Sequence, residues 1–516
     1  MSRRAVSHMT KAKTNVARQA KSKLLFVSER ERQGPVPIHV KILNGFGTLP
    51  GQHKNWAFNT LLLLYYSQIL GLSASFASLA LGIALLFDAL SDPLVGVISD
   101  NYRSRLGRRH IFMLIAVLPT SLSFYALFAP PAGLSSEELA VWMFVFTVLT
   151  RVSLTLFEVP WTALSAELSN DYEERTSIQT YRTAVGWYLG AIATSVFLVV
   201  FFPETETDSS GLLTASAYEP LALTVSLLMA TWMLIATIST IGQLPYLNQP
   251  TTALPNFSFR LLGHQILESL KNRNFRLIFF SFVLISAISG TGQVFDVYMQ
   301  LYFWEFGSGD MKWFILLSIV GASAAFATIG YLQKRFEKQQ IVVAAACFGM
   351  VMGMIRVGFR FLGIWPINGD PLLLPVLVSH AMLVAYAAAL AFISLASMIA
   401  DIVDENELRT GIRQEGVLSA GASLAIKSTT GLGLFLGGLL LEWLVRFPVK
   451  TDPGSVDAEV LFRLGMVDGI LVPAFTVIPI FLLSRYRLDR NALKRMQRQI
   501  QQRKQKQLDQ TENQEA

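Results

Sequence analysis

Two carboxylates stand four residues apart in an apolar stretch, Leu85-Leu86-Phe87-Asp88-Ala89-Leu90-Ser91-Asp92-Pro93. A step of four places Asp88 and Asp92 on one face of a helix. At the centre of a membrane helix each costs about 2.5–3.5 kcal/mol on insertion scales. Such a pair has three usual uses: binding a cation, relaying a proton, or neutralising a buried base. All three belong to cation-coupled transport.

A second polar stripe reads Arg151, Thr155, Glu158 and Thr162. Steps of four, three and four keep these on one helix face, which must turn away from lipid. One reading is a structural ion pair of Arg151 with Glu158 or an aspartate. The other is a binding site, which Pro160 favours by weakening the helix beside Glu158. Lys427 stands alone between Ala425-Ile426 and Ser428-Thr429. A lysine that deep needs a carboxylate or a water-filled cavity, and Asp88 or Asp92 is its natural partner. Gly431, Gly433, Gly437 and Gly438 follow it and predict close helix packing. Asp296, Arg356 and His380 are further polar residues in apolar spans with no role legible from their neighbours.

These residues need a frame of membrane helices. The 516-residue chain is 52% hydrophobic and 15% charged, against about 25% charged in soluble domains. Apolar runs of bilayer-crossing length recur throughout. Twelve spans are expected at 55–76, 78–99, 110–129, 139–164, 180–202, 219–245, 276–304, 312–331, 341–363, 371–400, 416–445 and 463–484. Residues 1–54 read as a basic tail, 246–275 as a central loop between halves 55–245 and 276–484, and 485–516 as a second basic tail. Lys and Arg concentrate in the tails and in alternate loops, which predicts that both termini are cytoplasmic.

The single cysteine, Cys347, excludes an internal disulfide, and there is no HExxH, GxxxxGK[ST] or Rossmann fingerprint. The chain is therefore not expected to be an enzyme, to carry a cofactor or to bind nucleic acid. Its energy source would be an ion gradient, and its surroundings the lipid bilayer.

The cytoplasmic loops carry a candidate gate. Asp100, Arg103, Arg105, Arg108 and Arg109 follow the second span, and Asp401, Asp404, Arg413 and Glu415 precede the eleventh. Salt bridges between the two groups would close the cytoplasmic side when the site faces outward. The loop after span two and that after span eight (Gly330-Tyr331-Leu332-Gln333-Lys334-Arg335) occupy equivalent places in the halves. Six plus six spans with such a repeat is the pattern of the major facilitator fold: all-α, two six-helix halves, with a site between them near the midplane.

Several ordered motifs then resemble one family. Asp88-Ala-Leu-Ser-Asp92-Pro93, Arg103-Ser-Arg105-Leu-Gly-Arg108-Arg109, Glu158-Val-Pro160-Trp161, Ala400-Asp401-Ile-Val-Asp404 and Gly411-Ile-Arg413-Gln-Glu415-Gly416 are similar to the glycoside–pentoside–hexuronide:cation symporters of the melibiose-carrier type. The resemblance implies a coupling cation at Asp88 and Asp92 with Thr155 beside them. It implies a sugar or glycoside at Glu158 and Arg182, with Trp161 near the family's aromatic platform and Lys427 close to both sites; Arg151 joins this set from the stripe. Two carboxylates and a hydroxyl suit Na⁺ by ligand type, and the same acids could carry H⁺. Where the family has an acid early in its first helix, ungapped counting places Gln52. The expected location is a bacterial inner membrane. An amphipathic lysolipid cargo, or a non-transporting receptor on the same fold, are the alternatives.

Overall fold

The computed structural model describes residues 34–205, 210–247, 267–410 and 427–488, apart from Arg103, Arg105, Asn170 and Ser428, and a few residues of the C-terminal tail. Arg413 and Glu415 lie outside the described residues, as do Arg103 and Arg105 and the side chain of Asp404.

The described residues are helical with short connections. Among the described residues, ten helices are long and apolar enough to cross a membrane: α2 (Ala74–Asn101), α3 (His110–Phe128), α4 (Ser136–Glu167), α5 (Glu173–Phe201), α6 (Ala215–Ile241), α7 (Arg273–Phe303), α8 (Ser308–Arg335), α9 (Lys338–Phe361), α10 (Leu373–Val403) and α12 (Ala458–Ser484). Two further helical runs are α1 (38–69) and the shorter apolar α11 (Thr429–Val445).

The beginning of α1 corrects the expected tail, because helix starts at Ile38 rather than near 55. Residues 38–54 have low hydropathy because they carry Lys41, Asn44, Gln52, His53 and Lys54. Lys41, Asn44, His53 and Lys54 are all buried in the bundle. Buried polarity, not exposure, makes the segment look like a tail. Lys41 pairs with Glu174 at 3.1 Å, tying α1 to the first turn of α5. Beyond Trp56, α1 loosens into wider π turns at Ala57–Leu62 and Tyr65–Ile69.

Helix α4 begins with a capping box, Ser135 and Glu138 satisfying each other's backbone N–H. It runs through Pro160 to Glu167 without a break, so the proline removes one hydrogen bond but does not end the helix. α10 also extends as helix to Thr410, so Asp401 stands on a helix and not in a loop.

Glycines set the contact between α2 and α11. A Cβ added to Gly82 would lie 2.8 Å from the Gly431 carbonyl, and one on Gly431 would lie 2.8 Å from the Gly82 carbonyl. Only hydrogen at both positions permits this approach.

The ends of the two helix groups differ. At the end poor in Lys and Arg, residues before 242 bond to residues after 273. Glu442 on α11 accepts from Ser73 Oγ at 2.7 Å and from the Ser75 N–H at 2.9 Å. Gln68 donates to the Pro448 carbonyl at 3.1 Å, and the Gly309 N–H donates to Glu204 Oε1 at 3.1 Å. At the basic end, the described ion pairs stay within one group, as given below.

Candidate functional site

Asp88 and Asp92 lie on α2 facing α4, as their spacing predicts. Thr155 Oγ1 is 3.0 Å from Asp88 Oδ1 and 3.4 Å from Asp92 Oδ1, so one hydroxyl bridges the two carboxylates. Arg151 NH1 donates to Asp88 Oδ2 at 3.4 Å. Of the two structural pairings open to Arg151, the aspartate is the one made. Lys427, two residues before α11, places its Nζ 2.5 Å from Asp92 Oδ2 and 3.5 Å from Asp88 Oδ2. The lysine ammonium thus sits against both acids.

A sixth charge completes the cluster, and sequence reasoning missed it. Lys54 on α1 is buried, and the opposite charges acting on it are first Glu158 and then Asp88. Three acids (Asp88, Asp92, Glu158) face three bases (Lys54, Arg151, Lys427), so the site is formally neutral. A signal for α1 was available in Gly47 and Gly51, a four-residue step of small residues. Side-chain atoms of Trp161 stand where a Cβ on Gly47 would go, and the Glu158 carboxylate where one on Gly51 would go. These glycines let α1 lie directly on α4. Gln52, the residue found by counting, instead packs on Gly190 of α5.

Arg182 and Trp161 form a separate cluster. The Arg182 guanidinium stacks 3.8 Å over the Trp161 ring, and its NH2 donates to Thr162 Oγ1 at 3.3 Å. Trp161 Nε1 donates to the Asn44 carbonyl at 3.0 Å and to its Oδ1 at 2.9 Å. Trp161 is 4% exposed, so in this conformation it is packed and not an open platform. The structure therefore brings Arg151, Glu158 and Lys427 to the acid pair, and holds Arg182 and Trp161 together beside it.

Residues 43–490 match the MFS/sugar transport protein family. The chain belongs to that family. The isoprimeverose transporter of Lactiplantibacillus pentosus is 25% identical over 396 residues, 74% of this chain and 76% of its own. A sodium-dependent lysophosphatidylcholine symporter from Danio rerio is 25% identical over 169 residues, 33% of this chain and 31% of its own. Among solved structures, a bacterial homologue of the iron transporter ferroportin superposes with a TM-score of 0.59 at 13% identity, over 87% of this chain and 100% of that one. That likeness shows the fold alone.

This member of the MFS/sugar transport family is thus a multi-pass membrane transporter of the symporter group and not an enzyme. Of the candidate gate residues, Asp100, Arg108, Arg109 and Asp401 form ion pairs among the described residues. Arg108 and Arg109 both bind Glu167, Arg109 at 2.6 Å, and Arg109 also pairs with Asp100 at 2.9 Å. Asp401 pairs with Lys338 at 2.6 Å. Each of these pairs lies within one group of helices.

Proposed function

We propose that this transporter is a secondary active symporter coupling Na⁺ or H⁺ entry to uptake of a sugar or glycoside across the bacterial inner membrane. In this reading α1 to α12 are twelve spans in two six-helix halves, with both termini cytoplasmic. The observation that carries it is the Lys427 ammonium seated 2.5 Å from Asp92 and 3.5 Å from Asp88. In the closed, neutral cluster the lysine acts as a tethered cation. An incoming Na⁺ would take the Asp88, Asp92 and Thr155 oxygens, and a proton would neutralise one acid; either releases Lys427 towards Glu158. Solute binding at Glu158 and Arg182, with Trp161, Arg151 and Lys427 around it, then favours rocking of the halves. Cation and solute each help the other bind, as linkage requires. The isoprimeverose transporter among the relatives supports a sugar as cargo.

The test is cation movement in right-side-out vesicles on adding pentosides, hexosides, hexuronates or lysolipids, wild type beside Asp92→Asn. A Na⁺ or pH signal with a sugar, absent in the variant, is expected. Accumulation by Asp92→Asn at the wild-type rate would sink the coupling role.

One feature favours a second cargo. A recess of about 700 Å³ between α5 and α8 is lined by Trp187, Tyr188 and Phe326 beside Arg175. Aromatic walls with a base at one end suit an amphipathic lysolipid, in line with the partial relative from Danio rerio. Competition by lysolipids and not by sugars would select this reading.

A further inference from the structure

The link between α11 and α12 holds a backbone conformation that its own helices do not explain. Among the described residues, three that are not glycine have positive φ: Glu305 (55°), Arg446 (58°) and Lys450 (52°). The left-handed region is unfavourable for such residues. Two of the three have a local cause. Arg446 ends α11, and the next N–H, that of Phe447, donates back to the Leu441 carbonyl at 3.0 Å. Glu305 ends α7 in the same way, with the Phe306 N–H on the Gln300 carbonyl at 2.9 Å. Both are helix caps of the kind that uses a left-handed residue. α1 ends likewise, the Leu72 N–H on the Tyr66 carbonyl at 2.8 Å, but with Gly71 at the turn. Lys450 caps no helix: it lies within the link from Val445 to Ala458.

Its cause lies across the bundle. Gln68, at the end of α1, is buried. Its Nε2 donates to the Pro448 carbonyl at 3.1 Å, and its Oε1 accepts from the Thr451 N–H at 3.3 Å. One amide thus grips the chain on both sides of Val449 and Lys450. The link is otherwise fastened to the second helix group. The Phe447 ring packs edge-on against Tyr298 and Tyr302 of α7, with centroids 5.0 and 4.8 Å away. The Tyr302 hydroxyl donates to the Thr451 carbonyl at 3.1 Å. The Lys450 stem lies over Gly71, its Cε 2.6 Å from where a Cβ on that glycine would stand. Held at Phe447 and Thr451 by α7 and gripped by Gln68 of α1, the chain between turns through a left-handed lysine to meet the amide.

We propose that the 446–451 link is a spring clasp between the two helix groups: Gln68 holds Lys450 left-handed while the end poor in basic residues is closed, and release of that strain on opening offsets part of the loss of the two hydrogen bonds. Lys450 thereby keeps the closed and open states near enough in energy to interconvert. The clasp requires only that the two groups separate at this end, whatever the cation or cargo.

The test is the ratio of closed to open protein in the full chain in nanodiscs. It is read as spin-label distances between Ala132→Cys and Leu362→Cys, in a Cys347→Ser background. Lys450→Gly and Lys450→Asn accept the left-handed turn with less strain. Lys450→Met keeps both the stem over Gly71 and the strain. Gln68→Leu removes the grip, and Arg446→Gly relaxes a helix cap in both states. Each is also made with Glu442→Ala, where the open state is more populated and a rise in the closed state can be read; thermal unfolding checks that every variant is folded. The ratio should rise about fivefold in Lys450→Gly, the equivalent of about 1 kcal/mol, and move the same way in Lys450→Asn. It should fall by about tenfold in Gln68→Leu, and keep the wild-type value in Lys450→Met and Arg446→Gly. An unchanged or lower ratio in Lys450→Gly in both backgrounds would overturn the spring. An equal rise in Lys450→Met would also overturn it, by placing the effect in the side chain and not the backbone. An unchanged ratio in Gln68→Leu would overturn the clasp itself.

Discussion

Lys427, just before α11, and Asp92 on α2 meet at 2.5 Å, although 335 residues separate them in the chain. The lysine side chain is about a third exposed, and Asp92 is similarly placed. This contact ties the two acids of α2 to a residue far beyond the centre of the chain. Removing one partner of such a pair leaves the other charge uncompensated, which costs about 3–5 kcal/mol when the site is fully buried; partial exposure should reduce that.

Lys427→Ala therefore gives a sharp expectation. Without its tethered ammonium the cluster carries one excess negative charge, and a mobile cation should replace it. In detergent, the variant should unfold at lower temperature than wild type without Na⁺ and regain much of the loss as Na⁺ is added. Its net uptake should fall at least tenfold because the lysine no longer resets the site. Equal Na⁺ dependence of unfolding in both proteins would contradict this account.

Lys54 and Glu158 should behave as a unit. Lys54→Met and Glu158→Gln each leave a buried charge unbalanced, and each should lower the amount of folded protein in the membrane. The double variant restores neutrality and should recover most of it. Coupling energies of about 0.5–3 kcal/mol are typical of residues sharing one network. Additive losses in a double-mutant cycle of thermal unfolding would show that the two charges do not interact.

Two glycine substitutions separate packing from function. A methyl group on Gly431 would press on the backbone carbonyl of Gly82 at 2.8 Å, which cannot swing aside. Gly431→Ala should cost about 1–3 kcal/mol of stability, as overpacking does. In Gly51→Ala the clash is with the end of the Glu158 side chain, which can turn away. That variant should fold nearly as well as wild type and lose solute affinity. A reversed ranking in thermal unfolding would disprove the helix contacts described.

Glu442 is a latch at the end poor in basic residues. Its carboxylate accepts from Ser73 Oγ and from the Ser75 N–H at the start of α2. A charge-assisted hydrogen bond is worth about 1.5–3 kcal/mol. Glu442→Ala should shift the population towards a state open at that end by a factor of ten or more. Spin labels on the outer ends of α2 and α11 should then report a longer distance. An unchanged distance distribution would remove Glu442 from the gate.

Much of this protein was legible from residue type and period. The apolar runs that became α2 to α10 and α12 needed no tertiary information, because bilayer thickness sets their length. Spacing alone put Asp88 and Asp92, and Arg151 and Thr155, on shared faces, and the cost of a charge in lipid turned those faces inward. The demand of Lys427 for a carboxylate named Asp88 or Asp92 in advance, and it meets both. The start of α1 was not legible, since hydropathy treats a buried lysine and an exposed one alike; only packing against α4 shows that Lys54 is inside. The pairing of gate residues within each group of helices was likewise open, because the same charges can bond locally or across the bundle and the conformation decides which. A cavity of about 420 Å³ joins Trp56 to Leu198, 142 positions away, and to Asp296, 240 positions away. No local pattern encodes such a meeting. The chain order determined which helices exist and which faces turn from lipid; the fold decided which charges meet, because proximity between distant helices is a property of their packing.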